Sequence, residues 1–151
     1  MKQEIKQAFN EQGYSFLLPI QEKAIPQILS RKNLFIQAAT GSGKTLAYLL
    51  PALEIADSAS NDTQILIITP TRELALQVSE VAKNIANYSK HHIVTVIGGL
   101  DIHKQENALR HRPTIIIGTP GRLMDLYSQK KIDLSHLLLC VVDEVDMVIS
   151  T

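Results

Sequence analysis

Cysteine and tryptophan are almost missing from this sequence: 151 residues hold one cysteine, Cys140, and no tryptophan. A single thiol excludes an internal disulfide and any cage of several cysteines around a metal. Placed inside an apolar run, Cys140 is expected to be a buried strand thiol rather than a reactive one. The five histidines show no metal-ligand spacing. No apolar run approaches the roughly 20 residues a membrane-spanning helix requires, and Met1-Lys2-Gln3-Glu4 carries no apolar signal-peptide core. The expected compartment is therefore the cytoplasm, without membrane attachment. Neither sign of charge prevails: 15 basic and 15 acidic residues give a net charge of zero. That removes a uniformly basic surface but leaves local clusters at Lys90-His91-His92, Arg110-His111-Arg112 and Lys130-Lys131. Phosphate contacts need only such local basic surface, although each cluster also reads as a solvated turn. Repeats, low-complexity tracts and linkers are absent too. With 45% apolar and 20% charged residues, the chain is expected to form one globular domain over residues 1–151.

Against these absences stands one dense motif, Ala38-Ala39-Thr40-Gly41-Ser42-Gly43-Lys44-Thr45. It follows the apolar run 34–36 and precedes a helical pattern, the context of a phosphate-binding loop. A helix N-terminus after such a loop directs backbone N–H groups at an anion. Lys44 is suited to the outer phosphates and the Thr45 hydroxyl to Mg²⁺. Ala38 stands where the general pattern has glycine, giving an A-x-T-G-x-G-K-T variant.

Five apolar runs, 34–36, 65–68, 93–97, 114–117 and 137–142, lack polar alternation and are expected to be parallel strands covered on both faces. Helical patterns lie between them. After Arg72, the residues Leu74, Val78, Val81 and Ile85 share one helix face and leave Glu73, Glu80 and Lys83 to solvent. Residues 45–55, 102–109 and 121–127 are also expected to be helical, as is the segment 1–31, where Ile5, Ala8 and Phe9 share a face and so do Ile25, Ile28 and Leu29. Residues 57–63 form the clearest flexible loop. Alternating strands and helices predict an open α/β sheet with ligands beyond the carboxyl ends of its strands.

The last apolar run leads into Asp143-Glu144-Val145-Asp146. A carboxylate at a strand end is placed to hold Mg²⁺ beside a phosphate loop, and a second one can polarise a water for in-line attack.

Taken in order, these motifs resemble the first RecA-like domain of the DEAD-box RNA helicases. Gly13-Tyr14 with Pro19-Ile20-Gln21 is similar to the Q motif, the phosphate loop to motif I, and Pro70-Thr71-Arg72-Glu73-Leu74-Ala75 to motif Ia. Gly98-Gly99 resembles the family's glycine pair, Thr119-Pro120-Gly121-Arg122 motif Ib, and Asp143-Glu144-Val145-Asp146 motif II. The resemblance implies a RecA-like P-loop sheet with helices on both faces, incomplete at its C-terminus. It also implies ATP and Mg²⁺ as cofactors. Ala39, Thr40, Gly41, Ser42, Gly43, Lys44 and Thr45 would hold nucleotide, Thr45 and Asp143 the metal, and Lys44, Asp143 and Glu144 would act in catalysis. The Gln21 amide suits the adenine N6 and N7 edge, though in isolation Gln21 reads as a surface glutamine. Thr71, Arg72, Gly98, Gly99, Thr119 and Arg122 would contact RNA through its backbone, tolerant of sequence and sensitive to salt. The glycine pair would let another backbone approach closely.

Three departures accompany the resemblance. Val145 replaces alanine in motif II, a change of packing that leaves the roles of Asp143 and Glu144 intact. Leu17-Leu18 stand where Pro-Thr is common, which removes a hydroxyl that would help fix Gln21 and weakens adenine selectivity. The sequence stops five residues after Asp146, before the Ser-Ala-Thr motif and before the second RecA-like domain with its arginine fingers. The expectation is a fragment that binds nucleotide and RNA weakly, turns over little, and closes the gap in its sheet by repacking, strand exchange or self-association. Two other readings stay open: a non-enzymatic RNA- or protein-binding module, and a P-loop ATPase motor acting on DNA or protein.

Overall fold

A computed structural model describes residues 1–150, which divide into two compact units. The first joins Met1–Ile55 to Asn84–Ser89, and the second joins Ala56–Lys83 to the residues from Lys90 onward.

Three helices make up most of the first unit: α1 (Gln3–Glu11), α2 (Pro19–Leu29) and α3 (Lys44–Ile55). In α1 the predicted face of Ile5, Ala8 and Phe9 is buried. Lys2 and the chain's amino group hold α1 to α3: the Lys2 backbone N–H donates to Glu54 Oε2 (2.6 Å), and the N-terminal ammonium lies 3.7 Å from Glu54 Oε1. The segment expected to be one helical stretch breaks between α1 and α2, because Gly13 takes a left-handed conformation (φ 85°) and Tyr14 folds back to stack on Phe9, ring centroids 5.1 Å apart. In α2 the buried face is Gln21, Ala24 and Ile28, whereas Leu29 is exposed. The inward stripe thus runs through a glutamine, which an apolar periodicity could not mark. α3 is apolar on every side and buried from Leu46 to Leu53. The turn at Asn84–Ser89 sends the Tyr88 hydroxyl to Glu11 Oε2, and that carboxylate holds the phenol above its ordinary pKa.

The segment 34–36 corrects the expected strand. Residues 32–39 have no regular secondary structure, and Phe35 is 80% exposed. A strand exists only through a ladder partner, and no strand of the described residues pairs with this segment.

The second unit is a four-stranded parallel sheet in the order β2-β3-β1-β4, with β1 (Ile65–Ile68), β2 (Ile93–Val96), β3 (Ile115–Gly118) and β4 (Leu139–Val142). Between them run α4 (Arg72–Ile85), α5 (Ile102–Arg110) and α6 (Pro120–Ser128), with the short α7 (Val145–Val148) after β4. On one face Leu66, Val94, Val96 and Ile116 pack with Leu109 of α5, Leu123 and Leu126 of α6, and Ile132. On the other face the Ser79 and Thr95 hydroxyl oxygens are 2.7 Å apart, which sets α4 against β2. The buried face of α4 centres on Ala75, Val78, Ser79, Ala82 and Ile85, while Leu74 and Val81 are half-buried. Glu73, Glu80 and Lys83 face solvent as expected. Residues 57–63 form an irregular loop cross-braced by the Gln64 amide, which accepts from the Asp57 N–H (2.8 Å) and donates to the Asp57 carbonyl (3.1 Å).

β4 departs from the expectation of two-sided cover. Among the described residues it pairs with β1 alone, and Cys140 and Val142 are exposed. In parallel register Cys140 stands beside Leu66 and Val142 beside Ile68, on the face that α5 and α6 cover farther along the sheet. That cover does not reach β4, so Cys140 is a strand thiol but not a buried one.

Candidate nucleotide and nucleic-acid site

The phosphate loop lies in the first unit and turns directly into α3. Its chain reversal uses left-handed Gly41 (φ 80°) and Gly43 (φ 91°). Ala47 makes the first helical bond, to the Gly43 carbonyl (3.1 Å), so the N–H groups of Lys44, Thr45 and Leu46 have no partner in the preceding turn of helix. A helix end of this kind is suited to an anion. Ser42 Oγ adds a second sign: it is a buried hydroxyl oxygen without a hydrogen-bond partner, where such groups are normally satisfied. The loop's own groups fill part of the cradle. Lys44 Nζ donates to the Ala38 carbonyl at 2.8 Å, so the ammonium is turned back onto the loop.

Gln21 carries the adenine-reading expectation, although in isolation it reads as a surface glutamine. It is 2% exposed rather than a surface side chain. Its Oε1 accepts from the Leu18 N–H (2.8 Å), and its Nε2 donates to the Gly43 carbonyl (3.1 Å). The first bond is half of a capping box at the start of α2; the other half needs an oxygen on residue 18, and Leu18 has none. A Cβ on Gly43 would lie 2.6 Å from Gln21 Nε2 and 2.8 Å from Leu18 Cδ1. The Q-motif side chains are thus packed onto the phosphate loop, and both ends of the Gln21 amide are engaged by backbone. A separate groove of about 200 Å³ lies on another side of α2, between Ala24 and Gln27 and the segment 34–37.

In the second unit the other candidate residues gather at the carboxyl end of the sheet. Thr69 N–H continues the ladder to the Gly118 carbonyl (2.9 Å), Thr119 N–H to Val96 (3.2 Å) and Asp143 N–H to Ile68 (2.9 Å). Thr71, Gly98, Thr119 and Asp143 therefore leave the sheet along one edge. The Thr71 hydroxyl caps α4 by accepting from the Leu74 N–H (3.2 Å), whereas the Thr119 side chain makes no cap bond at the start of α6. Gly99 is left-handed (φ 78°), and the space a Cβ would need there is taken by the Arg72 guanidinium. The Arg72 side chain thus lies against Gly99, and Gly98 stands in open space. Arg122 Nη1 donates to Gln105 Oε1 (3.4 Å), and Gln105 Nε2 donates to the Ile97 carbonyl (2.8 Å). Sequence reasoning passed over Gln105; a glutamine amid polar helix residues gave no signal.

Asp143 is half-buried and Glu144 exposed. Glu144 has a left-handed backbone (φ 48°, ψ 55°) at the start of α7, as do Arg31, Arg112 and Lys130 at other turns. No group of three or more potential metal ligands occurs among the described residues. Lys44 and Thr45 belong to the first unit, Asp143 and Glu144 to the second. Among the described residues no helix is long and apolar enough to cross a membrane.

Comparison with known proteins gives one answer at three levels. The family model described as DEAD/DEAH box helicase matches residues 18–151. The chain is 44% identical over 147 residues to the ATP-dependent RNA helicase CshA of Listeria monocytogenes, covering 97% of this chain and 28% of that protein. It is 40% identical to the DEAD-box ATP-dependent RNA helicase CshA of Bacillus subtilis, covering 97% and 30%. It therefore spans less than a third of these relatives. Among solved structures, a DEAD box protein from Methanococcus jannaschii superposes with a TM-score of 0.93 at 32% identity, over 99% of this chain and 41% of that one. A hypothetical ATP-dependent RNA helicase from Sulfolobus tokodaii gives 0.90 at 39% identity, over 99% and 43%. The parallel sheet with its helices is a RecA-like helicase fold, and the chain belongs to the DEAD/DEAH box helicase family.

Proposed function

We propose that this chain is the ATP-binding RecA-like domain of a helicase that couples ATP binding and hydrolysis to local RNA unwinding in the cytoplasm. The observation that carries the reading is the Gly41–Thr45 turn into α3, whose first helical bond begins at Ala47, with an orphaned Ser42 hydroxyl. Ala39, Thr40, Gly41, Ser42, Gly43, Lys44 and Thr45 would cradle the phosphates once Lys44 leaves the Ala38 carbonyl. Thr45 and Asp143 would hold Mg²⁺, which when bound neutralises charge on the phosphate oxygens. Glu144 would orient the attacking water. Gln21 would read adenine by exchanging its backbone partners for the base, and the lack of a hydroxyl on Leu18 would weaken that selectivity. RNA would lie along the edge formed by Thr71, Arg72, Gly98, Gly99, Thr119 and Arg122, held by its backbone.

A second RecA-like domain would supply the cationic groups that stabilise charge in the transition state, a contribution of roughly 10³–10⁵ in rate in related phosphoryl transfers. Alone, the 151 residues would bind nucleotide and RNA weakly and hydrolyse little. The exposed edge of β4 also supports self-association of the isolated chain. The test is titration of a fluorescent ATP analogue into the 151-residue chain with Mg²⁺, alongside Lys44→Ala. Saturable binding lost in the variant supports the reading; equal binding by both proteins refutes it.

A further inference from the structure

We propose that Gln105 is a positioning residue that fixes Arg122 and the Gly98-Gly99 turn as one preformed phosphate-binding unit. The proposal deepens the RNA reading of this edge and rests on it.

Gln105 sits one turn into α5 and is 6% exposed. The start of that helix is itself fixed. The Asp101 carboxylate accepts from the N–H groups of His103 (2.9 Å) and Lys104 (3.4 Å), a strong N-cap. The Gln105 side chain thus enters the interior from an anchored backbone. Its Nε2 donates to the Ile97 carbonyl (2.8 Å), the last backbone acceptor before the glycine pair. Its Oε1 accepts from Arg122 Nη1 (3.4 Å). One buried amide therefore joins the loop after β2 to the first turn of α6.

The chemistry allows only one orientation. Reversing the amide would set its NH₂ against a guanidinium, which has donors only, and its oxygen against a carbonyl, which accepts only. A glutamate would satisfy the arginine and repel Ile97; an apolar residue would leave both unpaired. Across the same turn, the Arg72 guanidinium lies on Gly99. Arg72, from the start of α4, thus lies on the glycine turn, and Arg122, from the start of α6, is tied through Gln105 to the carbonyl just before it. The Gln105 bond uses one guanidinium nitrogen of Arg122, and the remaining N–H donors are available for a phosphate. Holding the guanidinium before the ligand arrives lowers the ordering entropy of binding.

The test compares wild type, Gln105→Met, Arg122→Ala and the double variant for binding of a fluorescent single-stranded oligouridylate by the 151-residue chain, with Arg122 side-chain ¹⁵Nε relaxation measured on wild type and Gln105→Met without RNA. Gln105→Met should weaken RNA binding about 3- to 10-fold, the range of one or two hydrogen bonds, and should have less than about a 2-fold effect once Arg122 is alanine. Its Arg122 Nε should become mobile on the ps–ns scale. Equal loss in both backgrounds, or an Arg122 signal as ordered as in wild type, overturns the proposal. If wild type shows no salt-sensitive RNA binding, the RNA reading fails, and the relaxation data alone decide the positioning role. Should Gln105→Met lose the fold, Gln105→Asn, one methylene shorter, keeps a polar amide that cannot span both partners and is measured in the same way.

Discussion

The phosphate loop and the edge at Gly98-Gly99 are both built from glycines and cationic side chains, yet they hold those cations in opposite ways. In the phosphate loop the cation is turned inward: Lys44 bonds to Ala38, and Gln21 occupies the Gly43 carbonyl. At the other site the cations rest on the turn, Arg72 over Gly99 and Arg122 through Gln105. A self-satisfied loop must break bonds to receive a ligand. A propped edge must only replace water. On the proposed function, the first arrangement would make occupancy by a nucleotide conditional, and the second would grip a polyanion by its repeating backbone.

The largest expected effect falls on the acidic turn, outside both cradles. In a protein that includes the second domain, Glu144→Gln should leave ATP binding unchanged and reduce RNA-stimulated hydrolysis by about 10²–10⁴, the range of a lost general base; steady-state phosphate release measures it. Unchanged turnover removes the role assigned to Glu144. Lys44→Ala should weaken nucleotide binding by about 100-fold, the equivalent of a lost charge-assisted contact, and should leave RNA binding by the other edge intact. Loss of both on calorimetry would break the comparison between the two sites.

The paired loop glycines offer a sharper contrast. Gly41 and Gly43 are both left-handed, but a Cβ meets nothing within 4 Å at Gly41 and meets Gln21 and Leu18 at Gly43. Gly41→Ala should lower stability by about 1–2 kcal/mol, the left-handed penalty alone. Gly43→Ala should cost at least about 1 kcal/mol more, through displacement of the Gln21 amide from its buried bonds. Urea unfolding of the two variants measures the difference, and equal losses would show that the Gln21 packing contributes nothing. The smallest effect belongs to the propped edge. Arg72→Ala should lower the slope of log K against log salt for single-stranded RNA by about 0.7, one phosphate contact, with binding weakened alike for different sequences.

What was readable in the sequence follows from the range of the forces involved. The turn into α3 was legible because glycines, lysine and a following apolar helix act within a dozen residues. β1 was legible because Ile65–Ile68 is buried wherever a sheet forms. Residues 34–36 show the limit: three apolar residues look like a strand, but only a neighbouring ladder makes them one. Cys140 shows it again, since apolar neighbours in sequence do not supply a helix overhead. The burial of Gln21 and of Gln105 was not legible for the complementary reason. Polar residues read as solvent-facing, and nothing local reveals that a distant carbonyl awaits the amide.

The outward thiol on β4 has a practical meaning. As the chain's sole sulfhydryl, Cys140 offers one attachment point for a maleimide dye, three residues ahead of Asp143. Desolvation raises its pKa above the ordinary value, so conjugation will run faster in mildly alkaline buffer than at neutrality. A fluorophore placed there gives an optical report on the acidic turn without adding or removing a single cysteine.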